Sequence, residues 1–513
     1  MNKKLHITIL FCAIICIQAN AQRYLTEIFN SSQIIVDTNV TYGNNFSFLT
    51  FSPVASPLKM DIYAPDPNID PGVKPLIIYM HTGSFLPAIV NGTPTGTKTD
   101  SATVEMCMQF ARRGYVAAAI SYRLGWNPVS GVQAIRTGTL LNAVYRSIQD
   151  AKACVRYFRK SATSNNPFNI DTNAIVLGGQ GSGGYVALAY ATLDKTAEIN
   201  LVKFLSDTTI GPPYGYVQGQ SYVNPTLSGD FDGYGGDPNY NNAGNSPGYS
   251  TKIHFVFNMG GALGDSSWLE AGDAPMVSFH VTHDPFAPFG NGPVFVPGGM
   301  FVVNASGSQY ITSRAFALGN NNCFVNAGFT DPYTVRANQA NFAPDGLFPF
   351  EMVPLVQAGP WEYFELQATR DYAVSLGYPP SQGDTVYTRA LYTNPNMSKA
   401  KSLAYIDTIQ NYLNPRIVYC LGLQTDINEN SNVAASLQAI PNPSANDITI
   451  DLKQKDNQLI SIKLMDLTGR TVAFKDGLNG SSCTIMRKGI SPGMYIANVY
   501  TEKGFASIRI IFN

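Results

Sequence analysis

Apolar positions follow two rhythms along most of this chain. One is a set of short runs rich in Ile, Val and Ala, bounded by Gly, Pro or polar residues, which is the pattern of buried strands. Residues 60–65, 75–80, 114–123, 252–258 and 276–280 read in this way. The other rhythm is a helical return of apolar residues every three or four places. Residues 103–113 read as a helix, and 140–161 is amphipathic, with Ile148, Ala151, Val155 and Phe158 on one face and Arg156 and Lys160 off it. Residues 398–413 read as a closing helix. Strands alternating with helices over short links predict an α/β fold, a mostly parallel sheet with helices on both faces.

Two stretches break the pattern. Residues 207–250 are rich in Gly, Asn, Pro, Asp and Tyr without periodicity and read as a long surface loop. Asp230, Asp232 and Gly233 within it have part of a calcium-loop spacing, which a plain turn also explains. Residues 290–400 read as a second loop-rich insertion, carrying Trp361 and many Tyr and Phe. After Leu423 the composition shifts. Residues 424–436 look like a linker, and 437–513 read as a small all-β sandwich with strands at 448–452, 460–465, 484–486, 494–500 and 506–511. Its turns are expected at Thr468-Gly469 and at Ser491-Pro492-Gly493.

A net charge of −1 with 13% charged residues gives no electrostatic footprint for nucleic acid. Lys3 and Lys4, the apolar run 5–17 and the small-x-small site Ala19-Asn20-Ala21 read as a signal peptide over 1–21. The next domain then covers 22–423. No later run is long enough to span a bilayer, so no integral membrane segment is expected. Export implies an oxidising compartment. Five cysteines remain after the signal peptide: Cys107, Cys154, Cys323, Cys420 and Cys483. The odd count leaves at least one unpaired or joined to another chain. Cys107 and Cys154 fall on consecutive helices that pack on opposite faces of the sheet, which speaks against that pair, and Cys323–Cys420 is preferred as one that ties a long loop to the end of the domain.

One junction organises the first domain. Across 174–188 an apolar strand (Ile175, Val176, Leu177) meets a knot of glycines and then an alanine-rich helix. A sharp glycine-rich strand-to-helix turn is the geometry of a nucleophile elbow. The stretch resembles the G-G-x-S-A-G-G-Y form of carboxylesterases and lipases in the α/β-hydrolase superfamily. Laid on that form, Gly179, Gly183 and Gly184 match, the nucleophile position falls on Gly181, and Ser182 stands one residue late. Other segments resemble the same superfamily in order. These are Asp61-Ile62-Tyr63-Ala64-Pro65, the oxyanion-type loop His81-Thr82-Gly83-Ser84, Ser121-Tyr122-Arg123-Leu124, the helix from Asp150 to Arg156, and the strand end at His280–Pro285 with its acid Asp284. The resemblance implies an α/β-hydrolase fold. The C-terminal segment resembles the sorting domain of type IX secretion substrates, through Pro441-Asn442-Pro443, Leu467-Thr468-Gly469-Arg470 and Ser491-Pro492-Gly493-Met494-Tyr495. That resemblance implies the type IX machinery as partner and a secreted or outer-surface location.

Ester hydrolysis on this fold needs a nucleophile, a base, a carboxylate to orient the base and donors for the oxyanion. The superfamily order is Ser, Asp, His. The chain has five histidines (His6, His81, His254, His280, His283), and none follows Asp284. Nucleophile and base are therefore both missing from their places. The expectation is a binding module in an esterase-like fold, with an extracellular polymer as its ligand under the aromatic-rich loops. The competing expectation is an active carboxylesterase or deacetylase that uses Ser182 with His280 or His283 as an atypical base. The spacing Gly179-x-Gly181-x-x-Gly184 formally meets a dinucleotide fingerprint, but it follows several strands and does not open a βαβ unit, so no cofactor is expected. His280, His283 and Asp284 have a weak metal spacing, strand-end histidines are more often structural, and no metal is expected either.

Overall fold

The computed structural model describes residues 23–50, 52–296, 299–423, 431–453, 457–466, 471–501 and 504–513. The signal-peptide reading of 1–21, most of the linker reading and the Leu467–Arg470 motif lie outside them. Tyr24–Leu423 forms one compact unit, and the described residues beyond Leu423 form another.

The first unit is built on β1 (Ile34–Ser47), β2 (Val54–Pro65), β3 (Lys74–Met80), β4 (Val116–Ile120), β5 (Ile170–Gln180), β6 (Phe255–Met259) and β7 (Met276–Val281). A separate hairpin, β8 (Asn291–Phe295) and β9 (Phe301–Ser306), follows, and β10 (Leu347–Phe350) completes the main sheet. The sheet order is β1-β2-β4-β3-β5-β6-β7-β10. The β1–β2 and β2–β4 pairs are antiparallel and every other pair is parallel.

Alternation along the central strands separates two cores, because successive side chains point to opposite faces. Leu76, Ile78 and Met80 of β3 join a core with Cys154 and Phe158 of the helix Gln133–Ala162. Ile77 and Tyr79 join the other, with Cys107 and Phe110 of the helix Ser101–Arg112 and Ile409 and Leu413 of the helix Lys399–Cys420. Arg123, just beyond β4, is tied to Asp150 of the long helix through Nε to Oδ1 and backbone N–H to Oδ2, both 2.7 Å, with the two side chains 1% exposed.

Three differences from the sequence reading have physical causes. Residues 290–400 are not a loop insertion. They hold the β8–β9 hairpin, the strand β10 and the helices Ser308–Ala317, Leu366–Ser375 and Pro380–Ala390. The strands are short, and the helices Leu366–Ser375 and Pro380–Ala390 bury only two residues each, so no apolar period is readable. β1 opens on Ile34-Ile35-Val36 but then carries Asp, Thr and Asn along a mostly exposed edge, so no apolar run marks its full length. The closing helix runs past Pro415 to Cys420, with Arg416 fixed by Asp345 (2.6 Å) and stacked 3.4 Å over Tyr412. A disulfide joins Cys420 to Cys323, Cα–Cα 5.4 Å.

The second unit packs two antiparallel sheets, β11-β12-β15 (Leu437–Ile440, Ile448–Leu452, Ser482–Ile485) and β14-β13-β16-β17 (Thr471–Lys475, Leu459–Asp466, Gly493–Thr501, Gly504–Phe512). Alternate residues such as Ile448, Ile450, Ile462, Leu464, Ala497 and Val499 fill the space between them.

Candidate functional site

The site lies at the C-terminal ends of β3, β5, β6 and β7. β5 stops at Gln180 and a helix begins at Ser182, leaving Gly181 at the turn with φ 52° and ψ −120°. Side-chain-bearing residues adopt that region only under strain. The turn is held by Gly181 N–H donating to Met259 O (2.8 Å) and Gly184 N–H donating to Gly181 O (2.9 Å). Its neighbours have no room for a side chain. A Cβ on Gly183 would stand 2.3 Å from Met80 O, and one on Gly184 2.3 Å from Asn258 Oδ1. A Cβ on Gly181 would meet Thr82 Oγ1 at 2.1 Å. The hydroxyl of the oxyanion-type loop thus fills the space that an elbow side chain would enter.

Ser182 points elsewhere. It is buried, and its Oγ is 2.9 Å from Tyr122 Oη, which also donates to His81 O (2.8 Å). His81 stacks on Tyr122 with centroids 4.6 Å apart, contacts Thr82 O through Nδ1, and is pushed down to about 4 by burial. Burial thus keeps this packed imidazole neutral near pH 7. The loop that follows is tightly wound: Gly83, Ser84 and Phe85 all have positive φ. It is pinned by Trp126 Nε1 donating to Ser84 O (2.7 Å) and by Asn91 Nδ2 donating to Gly83 O (3.1 Å).

Asp284 follows β7. Its side chain is 4% exposed, and Oδ1 accepts from Phe286 N–H (2.7 Å) and Ala287 N–H (3.2 Å). Burial raises its carboxyl to about 7, against the pull of those two N–H groups. His280 Nε2 is 4.0 Å from Oδ2, while Nδ1 lies 2.7 Å from the buried Ser308 Oγ, and burial pushes this imidazole down to about 4. His283 is exposed and reaches only Thr282 Oγ1 (3.2 Å). Neither histidine is a hydrogen-bond partner of Ser182.

The loop between β10 and the helix Leu366–Ser375, where the superfamily pattern places its base, carries Trp361 and Glu362. Glu362 is half-buried, with long contacts to Gln180 Nε2 (3.5 Å) and Thr95 Oγ1 (3.4 Å). Burial, then the nearby Asp100 and Asp284 carboxylates, raise it to about 8. Asp100 itself accepts from Gly96 N–H (2.7 Å) and Thr97 N–H (3.0 Å), and burial raises it to about 7. Sequence reasoning missed Glu362 and Asp100, and named Trp361 and Tyr122 only within an aromatic-rich stretch and a strand-end motif, without a place in the site. The signal for Glu362 was its place after the last strand, but β10 is four residues long and was not recognised.

The calcium-like stretch is a turn. Asp230 Oδ1 accepts from Asp232 N–H and Tyr234 N–H, both 2.9 Å, and Lys152 Nζ lies 3.0 Å from Asp232 Oδ1.

Residues 60–210 match the BD-FAE family model, and residues 438–513 match the secretion system C-terminal sorting domain. No curated protein matches the chain. Among solved structures, Thermogutta terrifontis esterase 2 phosphoramylated by tabun is 16% identical over 68% of this chain and 97% of its own, with a TM-score of 0.33. The propionate-bound thermophilic esterase of that organism is 17% identical over 68% and 97%, TM-score 0.33. A bifunctional GH43-CE protein of Bacteroides eggerthii is 16% identical over 51% of this chain and 32% of its own, TM-score 0.30. The sheet order, the glycine-rich turn and the matched segments identify an esterase-like α/β-hydrolase domain joined to a type IX secretion sorting domain, which directs the chain to the cell surface or beyond it.

Proposed function

We propose that the α/β-hydrolase domain is a non-hydrolytic binding module displayed or released outside the cell. The observation that carries this reading is Gly181. It stands at the tip of the elbow without a hydroxyl, and Thr82 Oγ1 occupies the space where a side chain would start. Ser182, the nearest serine in sequence, is engaged with Tyr122. The loop after β10 offers Glu362 and no imidazole. Removing a serine nucleophile or its histidine base lowers turnover by roughly a million-fold, so the loss of both leaves no working triad. The ligand in this proposal is an extracellular polymer. The mature chain starts at residue 22, the binding module ends at 423, and 437–513 engage the secretion machinery.

The test is hydrolysis of p-nitrophenyl acetate by the purified full-length chain beside its Ser182→Ala variant. Equal, background-level rates in both are expected. Turnover that disappears in Ser182→Ala overturns the proposal and makes the chain an esterase with a rebuilt centre.

A further inference from the structure

The two sheets of the second unit treat their outer faces differently. A two-layer sandwich buries alternate residues of each strand and turns the others to water, so its outer faces should be polar. The small sheet obeys. Its outward positions are Gln438 on β11, Thr449 and Asp451 on β12, and Ser482 and Thr484 on β15, with Ile440 as the apolar exception. The four-stranded sheet does not. Ile462, Leu464, Ala497, Val499 and Ile510 face the core. The positions between them form a second apolar surface on the other side. Met465 of β13 lies opposite Ile496 of β16, and Met494 of β16 opposite Ile511 of β17. Phe474 of β14 lies opposite Lys463, and Tyr500 opposite Ser461. Phe474 is 57% exposed, Met494 41% and Tyr500 38%. From Met494 to Tyr500, β16 reads Met-Tyr-Ile-Ala-Asn-Val-Tyr, the near-continuous run of a strand covered on both faces. Two of the polar groups on this face satisfy each other, Ser507 Oγ donating to Asn498 Oδ1 (3.1 Å). Lys463 and Arg509 add two positive charges, and no outward position of β13, β16 or β17 carries a carboxylate. Among the described residues neither cation forms an ion pair.

We infer that the outer face of the four-stranded sheet, across β13, β16 and β17, is the surface by which the sorting domain docks on a protein of the type IX secretion machinery. The partner it fits presents an apolar surface with acidic groups beside it. Residues 438–513 match a secretion sorting domain, so the machinery must hold this unit by some part of its surface. An uncovered apolar surface marks an interaction site, and here it lies on one sheet while the other sheet's outer face is polar. Its composition fits a protein contact. Met, aromatic and Arg side chains are those enriched at interface cores, and Met adapts its shape to what it meets. The charge selects the partner's sign. Two cations without a carboxylate between them complement an acidic surface. A second copy of this chain fits less well, because an isologous pair of these faces would bring four positive charges together with nothing to offset them.

The test is export of the full-length chain from cells that carry a type IX system, read as the fraction at the surface or in the medium against the fraction held in the periplasm. Phe474→Ser/Met494→Ser removes two exposed apolar groups and should lower the exported fraction about tenfold. Lys463→Glu/Arg509→Glu keeps the apolar groups, reverses the charge and should lower it about as much. Gln438→Ser/Thr484→Ser, on the polar outer face of the small sheet, should stay within about twofold of the parent. Unfolding midpoints of the purified full-length variants should match the parent, which separates a lost contact from a lost fold. Phe474→Ser alone, at the most exposed of these positions, reads the same surface should a pair unfold. Outer-face variants that are folded and exported like the parent overturn the assignment. So does an equal loss in Gln438→Ser/Thr484→Ser, since the machinery would then be reading the whole domain and not this face. A concentration-dependent dimer of the parent in sedimentation, dissolved by Phe474→Ser/Met494→Ser, overturns it in favour of a contact between copies.

Discussion

Placing a serine at position 181 is the sharpest perturbation of this fold. Its Cβ would lie 2.1 Å from Thr82 Oγ1, far inside the 3.4 Å at which ordinary contact begins. Turning the Thr82 hydroxyl away does not clear the clash, because Thr82 Cβ is itself 3.0 Å from the new atom. Overpacking of this kind costs about 1–3 kcal/mol. The left-handed backbone at φ 52° adds about 1 kcal/mol for a residue with a side chain. Gly181→Ser should therefore destabilise the unit by about 2–4 kcal/mol. Thr82→Ala in the same chain leaves the 3.0 Å contact and should rescue little. Thr82→Gly leaves only Cα, 3.7 Å away, and should recover the packing part while the backbone cost remains. Denaturant unfolding of parent, both single variants and the Gly181→Ser/Thr82→Gly pair closes a double-mutant cycle, with an expected coupling of about 1–3 kcal/mol. A Gly181→Ser chain as stable as its parent, or a cycle that closes with no coupling, would refute the claim that Thr82 fills the elbow. On the proposed non-hydrolytic reading no ester turnover should appear in the pair, since no histidine follows Asp284.

The raised carboxyls make stability depend on pH with a definite sign. Asp100 and Asp284 at about 7 and Glu362 at about 8 in the folded chain bind protons that the unfolded chain has already released, so stability falls as pH rises from about 4 to about 8. Melting temperatures across that range should show Asp284→Asn gaining on the parent as pH rises, and the opposite trend would count against the burial of Asp284. Cys323 and Cys420 close a loop of sequence separation 97, so replacing both by serine should cost about 2–4 kcal/mol, read from unfolding midpoints with and without reductant. Asp150→Ala would strand the buried Arg123 guanidinium and should cost about 3–5 kcal/mol, seen as loss of soluble protein or a lowered unfolding midpoint.

What the sequence revealed follows from how each element is held. β3, β4 and β5 are buried on both faces and announce themselves as apolar runs, so the sheet's centre and its glycine turn were readable. β10 is four residues long and lies in an aromatic-rich stretch, so periodicity gave no sign of it. Missing β10 hid Glu362, because a residue's place after the last strand has meaning only once that strand is known. The Thr82–Gly181 contact joins positions 99 residues apart and needs coordinates. The pairing of Arg123 with Asp150 lay half-legible in two separate motifs, and only the fold shows that they are one interaction.

The division of the sheet into two faces has a practical consequence. Cys107 is sealed in one core and Cys154 in the other, and neither is bonded to another cysteine. A thiol reagent can modify each only when its own layer of helices lifts away. The native chain therefore carries two built-in clocks, one per layer, and the ratio of their labelling rates reports which layer opens first without any probe being introduced.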